Sequence, residues 1–224
     1  MEHKLQVKSV THSFGEKSIL SQCSLECKTG EIIGILGRNG SGKSTLFKIL
    51  FGTLKPDHFE AYLENKRWEK NTDPATVGYH PQEVMLPKRL RVRSLISMYI
   101  TSQGNQDKVF YTPGINDMLN KEVGILSIGQ QRYLQLILLL NLNHHFLLLD
   151  EPFSMVEPLY RELIKEKLIE YKSSKGFIIT DHYYLDVLEI TDKINLIKDA
   201  QIIPIASIEE LRMLEYLSDQ SIVY

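Results

Sequence analysis

Apolar and polar positions alternate through the first thirty residues, and the pattern reads as strands over Leu5 to Val10 and Ile19 to Lys28. The run Ile32-Ile33-Gly34-Ile35-Leu36 is apolar throughout and reads as a third strand. A glycine-rich turn follows, then a helical stretch from about Lys43 to Phe51, which Gly52 and Lys55-Pro56-Asp57 end with stop and turn residues. Phe59 to Leu63 and Thr76 to His80 read as short strands. From Pro81 to Gly124 the pattern changes: one amphipathic helix near Ser94 to Tyr99, a polar loop around Gln103 to Asp107, and a weaker helix from Asn116 to Lys121. From Ser127 onward, helix and strand alternate. The predicted order is a helix to about Leu140, a strand at Phe146 to Leu149, a helix at Leu159 to Tyr171 and a strand at Phe177 to Thr180. A helix after His182, strands near Ile194 to Ile197 and Gln201 to Ile205, and a last helix from Ile208 to Leu217 complete it. Short apolar strands alternating with helices predict an α/β fold with a mainly parallel sheet covered on both faces.

Composition narrows the picture. A chain of 224 residues fits one large domain, or one core with a small insertion. Hydrophobic residues at 43% and charged residues at 24% exclude disordered, collagenous and coiled-coil classes. A net charge of -2 provides no overall basic field, so no nucleic-acid partner is expected. The longest strictly apolar run, Leu136 to Leu140, falls far short of the roughly 18 residues of a membrane span. The opening Met1-Glu2-His3-Lys4-Leu5 has no apolar segment after it and does not read as a secretory signal. Cys23 and Cys27, four apart on one strand face, lie about 13 Å apart at strand rise. That exceeds the reach of a disulfide, so both read as core residues of a reduced, cytosolic chain.

Two segments carry chemistry. Gly37-Arg38-Asn39-Gly40-Ser41-Gly42-Lys43-Ser44-Thr45 fulfils G-x-x-x-x-G-K-[ST], directly after an apolar strand and at the opening of a helix. Glycines let successive backbone N–H groups approach phosphate oxygens, and the helix N-terminus adds its dipole. Lys43 supplies positive charge for the β- and γ-phosphates, and Ser44 a hydroxyl for Mg²⁺. The second segment, Phe146-Leu147-Leu148-Leu149-Asp150-Glu151-Pro152, is an apolar strand ending in two carboxylates. Adjacent acids at the carboxyl end of a central strand are costly unless a cation or ligand meets them. The natural division gives Asp150 the Mg²⁺ and Glu151 the attacking water.

With these motifs in order, the chain resembles the ATP-binding subunit of an ABC transporter over nearly its whole length. The resemblance implies a P-loop core, an N-terminal antiparallel β subdomain and a small helical subdomain. Residues 1–82 and 142–224 would form the core with the β subdomain, and about 83–141 the short helical part. Phe14, in His12-Ser13-Phe14-Gly15, matches the aromatic that stacks on adenine. Gln82, in Gly78-Tyr79-His80-Pro81-Gln82, matches the Q-loop glutamine that reaches Mg²⁺ and the attacking water. His182, in Thr180-Asp181-His182, matches the switch histidine that contacts the γ-phosphate and orients Glu151. Leu126-Ser127-Ile128-Gly129-Gln130 resembles the L-S-G-G-Q signature, so Ser127, Gly129 and Gln130 would meet the ATP of a partner subunit in a head-to-tail dimer. Two positions depart from the family pattern. Ile128 replaces the first signature glycine, and in Ser154-Met155-Val156-Glu157 a glutamate stands where the D-loop aspartate is usual.

The resemblance implies an Mg²⁺-dependent ATPase working as a homodimer or heterodimer, docked on integral membrane permease subunits at the cytoplasmic face of a membrane. An ABC-type ATPase without a transport role, and a nucleotide-binding regulatory module with weak turnover, are the alternatives. The cluster Lys88, Arg89, Arg91 and Arg93 reads as a solvated basic face, or as one turned to a membrane subunit or lipid headgroups. His144 and His145 match no motif and read as a solvated turn.

Overall fold

The computed structural model describes residues 2–68 and 76–217. The alternating N-terminal stretch forms β1 (Lys4–Phe14) and β2 (Lys17–Lys28), paired antiparallel with Leu5 opposite Cys27 and Val10 opposite Cys23. Cys23, Leu25 and Cys27 all point into the core, as the alternation predicts, and both thiols are free. The apolar run forms β3 (Ile32–Leu36), buried at every position, and leads through the glycine-rich turn into α1 (Lys43–Phe51). β4 (His58–Leu63) pairs with β1 and turns into β5 (Lys66–Arg67). The sequence reading did not include β5. Glu64 and Asn65, at φ 51° and 62°, supply the two left-handed positions that a tight hairpin turn requires.

β6 (Val77–His80) begins the crossover into the helical segment, which holds α2 (Val92–Tyr99), α3 (Gln103–Phe110) and α4 (Ile128–Leu140). Two expectations fail here. Gln103 to Asp107 is the start of α3, not a polar loop; only Val109 of that helix is buried, so no apolar stripe announced it. Asn116 to Lys121 is not a helix but one 3-10 turn over Asn116–Met118. The carbonyls of Leu119 and Lys121 instead accept the N–H groups of Arg93 and Val92, satisfying donors that the first turn of α2 leaves open.

The rest of the chain alternates as predicted: β7 (Phe146–Asp150), α5 (Pro158–Lys172), β8 (Gly176–Thr180), α6 (Tyr184–Ile190), β9 (Lys193–Lys198), β10 (Gln201–Ile205) and α7 (Ile208–Met213). α7 stops four residues before the predicted Leu217. Glu215 takes φ 58°, and the N–H groups of Tyr216 and Leu217 return to the Leu211 carbonyl.

Two sheets result. The antiparallel sheet has the order β2-β1-β4-β5, and the six-stranded sheet the order β10-β9-β3-β8-β7-β6. Every pairing in the second is parallel except β10 with β9. One face of the parallel strands (Ile33, Ile35, Phe146, Leu148, Ile178) packs with α1 against the antiparallel sheet. The other face (Ile32, Leu147, Leu149, Phe177, Ile179) forms a second cluster with the helical segment, α5 and α6. Each fully buried Leu, Ile or Phe in these layers contributes about 1.5–3 kcal/mol, so the strand ends carrying the polar motifs stand on a rigid base. This is the α/β architecture that the sequence implied, with its antiparallel, parallel and helical parts. Of the two histidines read as a solvated turn, His145 is exposed as expected and His144 is half-buried. The His144 ring packs against Gly78, and His145 stacks on His3 with ring centroids 3.8 Å apart.

Candidate active site

The carboxyl ends of β3, β7 and β8 meet at one edge of the parallel sheet, and the predicted polar residues gather there. At the end of β3 the chain enters α1 through Gly42, which has φ 111°. A Cβ at Gly42 would stand 3.0 Å from Ile19 Cγ2 and 3.1 Å from the Ile19 carbonyl, so both backbone and space demand glycine. α1 has no side-chain cap at its N-terminus and no acid in its first turn, which leaves its N–H groups to an incoming anion. The Lys43 ammonium donates to the carbonyls of Gly37 (2.7 Å) and Arg38 (3.3 Å). Burial pushes its pKa down, while Glu151, Asp150 and Asp181 pull it back up.

Asp150 ends β7 and is buried, with hydroxyl groups converging on its carboxylate. Ser44 (3.2 Å) and Thr180 (2.9 Å) donate to Oδ1, and Tyr79 (3.1 Å) donates to Oδ2. Burial and the neighbouring Asp150 charge push the Tyr79 hydroxyl pKa up, so it stays a donor. This all-oxygen set, a carboxylate with a serine hydroxyl against it, suits a hard cation such as Mg²⁺.

Glu151 stands next in the chain at φ 54°, a left-handed conformation that a non-glycine residue holds only under constraint. The constraint is visible. The Glu151 N–H donates to the Thr180 carbonyl (2.8 Å), and its own carbonyl accepts from Arg132 Nη2 (2.6 Å). The turn aims the carboxylate at His182, whose Nε2 lies 2.6 Å from Glu151 Oε1, while Ser154 Oγ donates to Oε2 at 3.2 Å. Fully buried Asp181 accepts from the N–H groups of Phe153 (2.7 Å) and Tyr183 (3.0 Å), which anchors the segments after Glu151 and His182 to each other. Burial raises the Asp181 pKa and these hydrogen bonds oppose the rise.

Phe14, Asn39, Gly40, Gly42, Lys43, Ser44, Thr45, Gln82, Glu151 and His182 line one open cleft of about 420 Å³, and Asp150 lies against it through Ser44. Gln82 and the Phe14 ring are exposed, and the Phe14 ring rests edge-on against His12. Gly37 is reached by the Lys43 ammonium, as described. Arg38 and Ser41 line a neighbouring cavity of about 240 Å³, where Arg38 Nη2 donates to the Glu215 carbonyl at 2.7 Å. Ser127, Gly129 and Gln130 do not line this cleft; they open α4, with Ser127 exposed.

The sequence reading missed Arg132. It is buried in α4 and donates to the carbonyls of Gln82 and Glu151 and, at 3.4 Å, of Asp150, so one guanidinium ties α4 to the segments that carry three predicted site residues. The available signal was a lone arginine just before the largely apolar stretch Tyr133 to Leu140, interrupted only by Gln135, and the tertiary fold alone gave it meaning. Tyr79 and Thr180 stand inside motifs that give them no task by themselves, because their partner, Asp150, lies about seventy and thirty residues away.

Comparison with known proteins agrees with this geometry. Residues 20–154 match the family model for the ABC transporter. A probable sulfate/thiosulfate import ATP-binding protein of Chlorella vulgaris is 29% identical over 92% of each chain. The lipopolysaccharide export system ATP-binding protein of Haemophilus influenzae is 27% identical, again over 92% of each chain. The solved structure of a nucleotide-free ATP-binding cassette from an ABC transporter superposes with a TM-score of 0.80 at 25% identity, over 96% of each chain. An uncapped helix start, a hydroxyl-bonded aspartate and a glutamate facing a histidine thus stand on a chain that belongs to the ABC transporter family of ATP-binding proteins.

Proposed function

We propose that the chain hydrolyses ATP to ADP and phosphate in a head-to-tail dimer and thereby drives transport through separate membrane subunits. The observation that carries this reading is the 2.6 Å contact between Glu151 and His182, in the same cleft as Lys43 and the open end of α1. Phe14 offers its exposed ring to adenine, and the N–H groups of the glycine-rich turn and the Lys43 ammonium take the phosphate tail. Asp150 and Ser44 would hold Mg²⁺, with Gln82 at the cleft wall, and the bound metal supplies charge neutralisation on the phosphates. Glu151 accepts the proton of a water whose oxygen attacks the γ-phosphorus. The bond between that phosphorus and the bridging oxygen breaks, and ADP leaves with the electron pair. His182 holds the Glu151 carboxylate in line and lies beside the γ-phosphate position.

Three surfaces support the assembly. Ser127, Gly129 and Gln130 lie outside the lining of the chain's own cleft, which leaves them to a partner in a dimer with exchanged signatures. Ile125, Ile128, Met155 and Leu159 are exposed on the segments around that signature, the composition of a surface made to be covered. An apolar groove of about 170 Å³, walled by Tyr79, Met85, Leu86, Tyr99 and Leu138, adjoins the Gln82 segment and suits a helix of a membrane subunit. No helix among the described residues is long and apolar enough to cross a membrane, so transport would proceed through separate subunits on whose cytoplasmic face this chain docks.

Steady-state ATPase measurement with Mg²⁺ tests the reading. Glu151→Gln should lower turnover by about 10²- to 10³-fold while leaving nucleotide affinity within a few-fold. Equal rates for wild type and variant, with the membrane subunits supplied, would remove Glu151 from the chemistry.

A further inference from the structure

Of the two positions that depart from the family pattern, Ile128 lies within the signature segment and Glu157 meets that segment in space. Ser127 caps α4 through a reciprocal pair: the Gln130 N–H donates to Ser127 Oγ (3.1 Å), and the Ser127 N–H donates to Gln130 Oε1 (3.1 Å). The Ser127 hydroxyl then has one proton left, and it goes to Glu157 Oε1 at 2.9 Å. The other carboxylate oxygen, Oε2, lies in the space that a Cβ on Gly129 would fill, so Glu157 rests directly on the opening turn of α4. Gln130 Nε2 is held in turn by the Tyr160 hydroxyl at 3.2 Å. A carboxylate therefore sits at the helix end, on the serine, where the signature reading places the γ-phosphate of a partner's ATP.

Chain geometry explains why it is a glutamate. Glu157 is the N-cap residue of α5, at φ -62° and ψ 149°, yet its side chain makes no capping bond to that helix. Aspartate is a strong N-cap because its short carboxylate folds back onto its own helix, while glutamate is too long to do so well. With one more methylene, Glu157 reaches across to Ser127. Pro158, at the first position of α5, lacks an N–H and removes one competing donor.

We infer that Glu157 is a built-in occupant of the signature's phosphate-binding face, an autoinhibitory contact that a partner's ATP must displace before the dimer closes. This rests on the head-to-tail reading given above. A serine hydroxyl donates one hydrogen bond at a time, so phosphate oxygen and Glu157 compete for the same proton. The carboxylate also repels the incoming phosphate until it swings away. The device raises the ATP or subunit concentration needed for closure and leaves the chain's own nucleotide cleft untouched.

The test measures ATP-driven dimerisation, by sedimentation or mass photometry, in a Glu151→Gln background with Mg²⁺-ATP. Glu157→Asp and Glu157→Gln should each form the dimer at a several-fold lower subunit concentration than the parent, with Glu157→Asp shifted by about tenfold, the range of a hydrogen bond to a charged group. Midpoints equal to the parent, or shifted to higher concentration, overturn the inference. So does the absence of a dimer in every variant when nucleotide still binds. The cradle reading has a separate readout: titration of the wild-type chain with a fluorescent ATP analogue. Failure there sinks the proposed function, whereas intact titration with unmoved midpoints sinks only the role of Glu157.

Discussion

The molecule carries two helix N-termini with opposite treatment. α1 begins after Gly42, with no side-chain cap and no acid in its first turn. α4 begins after Ser127 with a reciprocal capping pair, and a neighbouring carboxylate takes the remaining hydroxyl proton. Both ends have the same dipole and the same four open donors by construction. What separates them is how many donors the chain has already satisfied. In the proposed reading, an anion site is made by withholding local partners, as at the start of α1. A helix end that already holds a capping pair and a carboxylate must be opened before it can bind. The comparison extends to rigidity. The end of α1 sits between two sheets, with Leu46, Phe47, Ile49 and Leu50 buried, while the start of α4 exposes Ser127 and Ile128.

Three substitutions would break or sharpen this contrast. The largest effect is expected for Lys43→Ala, which removes the ammonium bonded to the glycine-rich loop: turnover should fall by two orders of magnitude or more, with nucleotide affinity lowered in parallel. A nucleotide titration at native affinity with undiminished turnover would show that the open end of α1 is not a phosphate cradle. Gly42→Ala acts on the same end through the backbone. The left-handed φ and the approach of Ile19 should cost about 1–3 kcal/mol of stability, read as a lower urea midpoint. An unchanged midpoint would mean that the turn relaxes without penalty. Ser127→Ala, at the satisfied end, should cost only about 1 kcal/mol, the usual loss on removing a cap. A cost as large as that of Gly42→Ala would erase the distinction drawn between the two ends.

How much of this was legible in the sequence follows from the range of each interaction. The cradle reads directly because strand, glycines, lysine and helix are consecutive, and the apolar run before Asp150 marks a central strand by itself. α3 did not read, because a helix that buries only Val109 has no periodic stripe. The segment Asn116 to Lys121 read as helix because its composition permits one, yet its carbonyls are committed to the first turn of α2. In the site, the nearest-neighbour chemistry of Asp150 and Glu151 was visible. The partners that orient them were not, since Arg132, Thr180 and Tyr79 arrive from other elements. Glu157 was visible as a departure from a pattern, and only its 2.9 Å contact with Ser127 gives the departure a meaning.

Both cysteines lie in the seam between the two sheets, with Cys23 2% and Cys27 0% exposed, and burial raises the pKa of each thiol. Thiolate is the species that alkylating dyes attack, so the native protein should be silent toward maleimide. A single cysteine introduced on the surface near Met155 or Ile125 would then carry the only label. Opening and closing of the proposed dimer could be followed by fluorescence without first stripping the chain of its own sulfur.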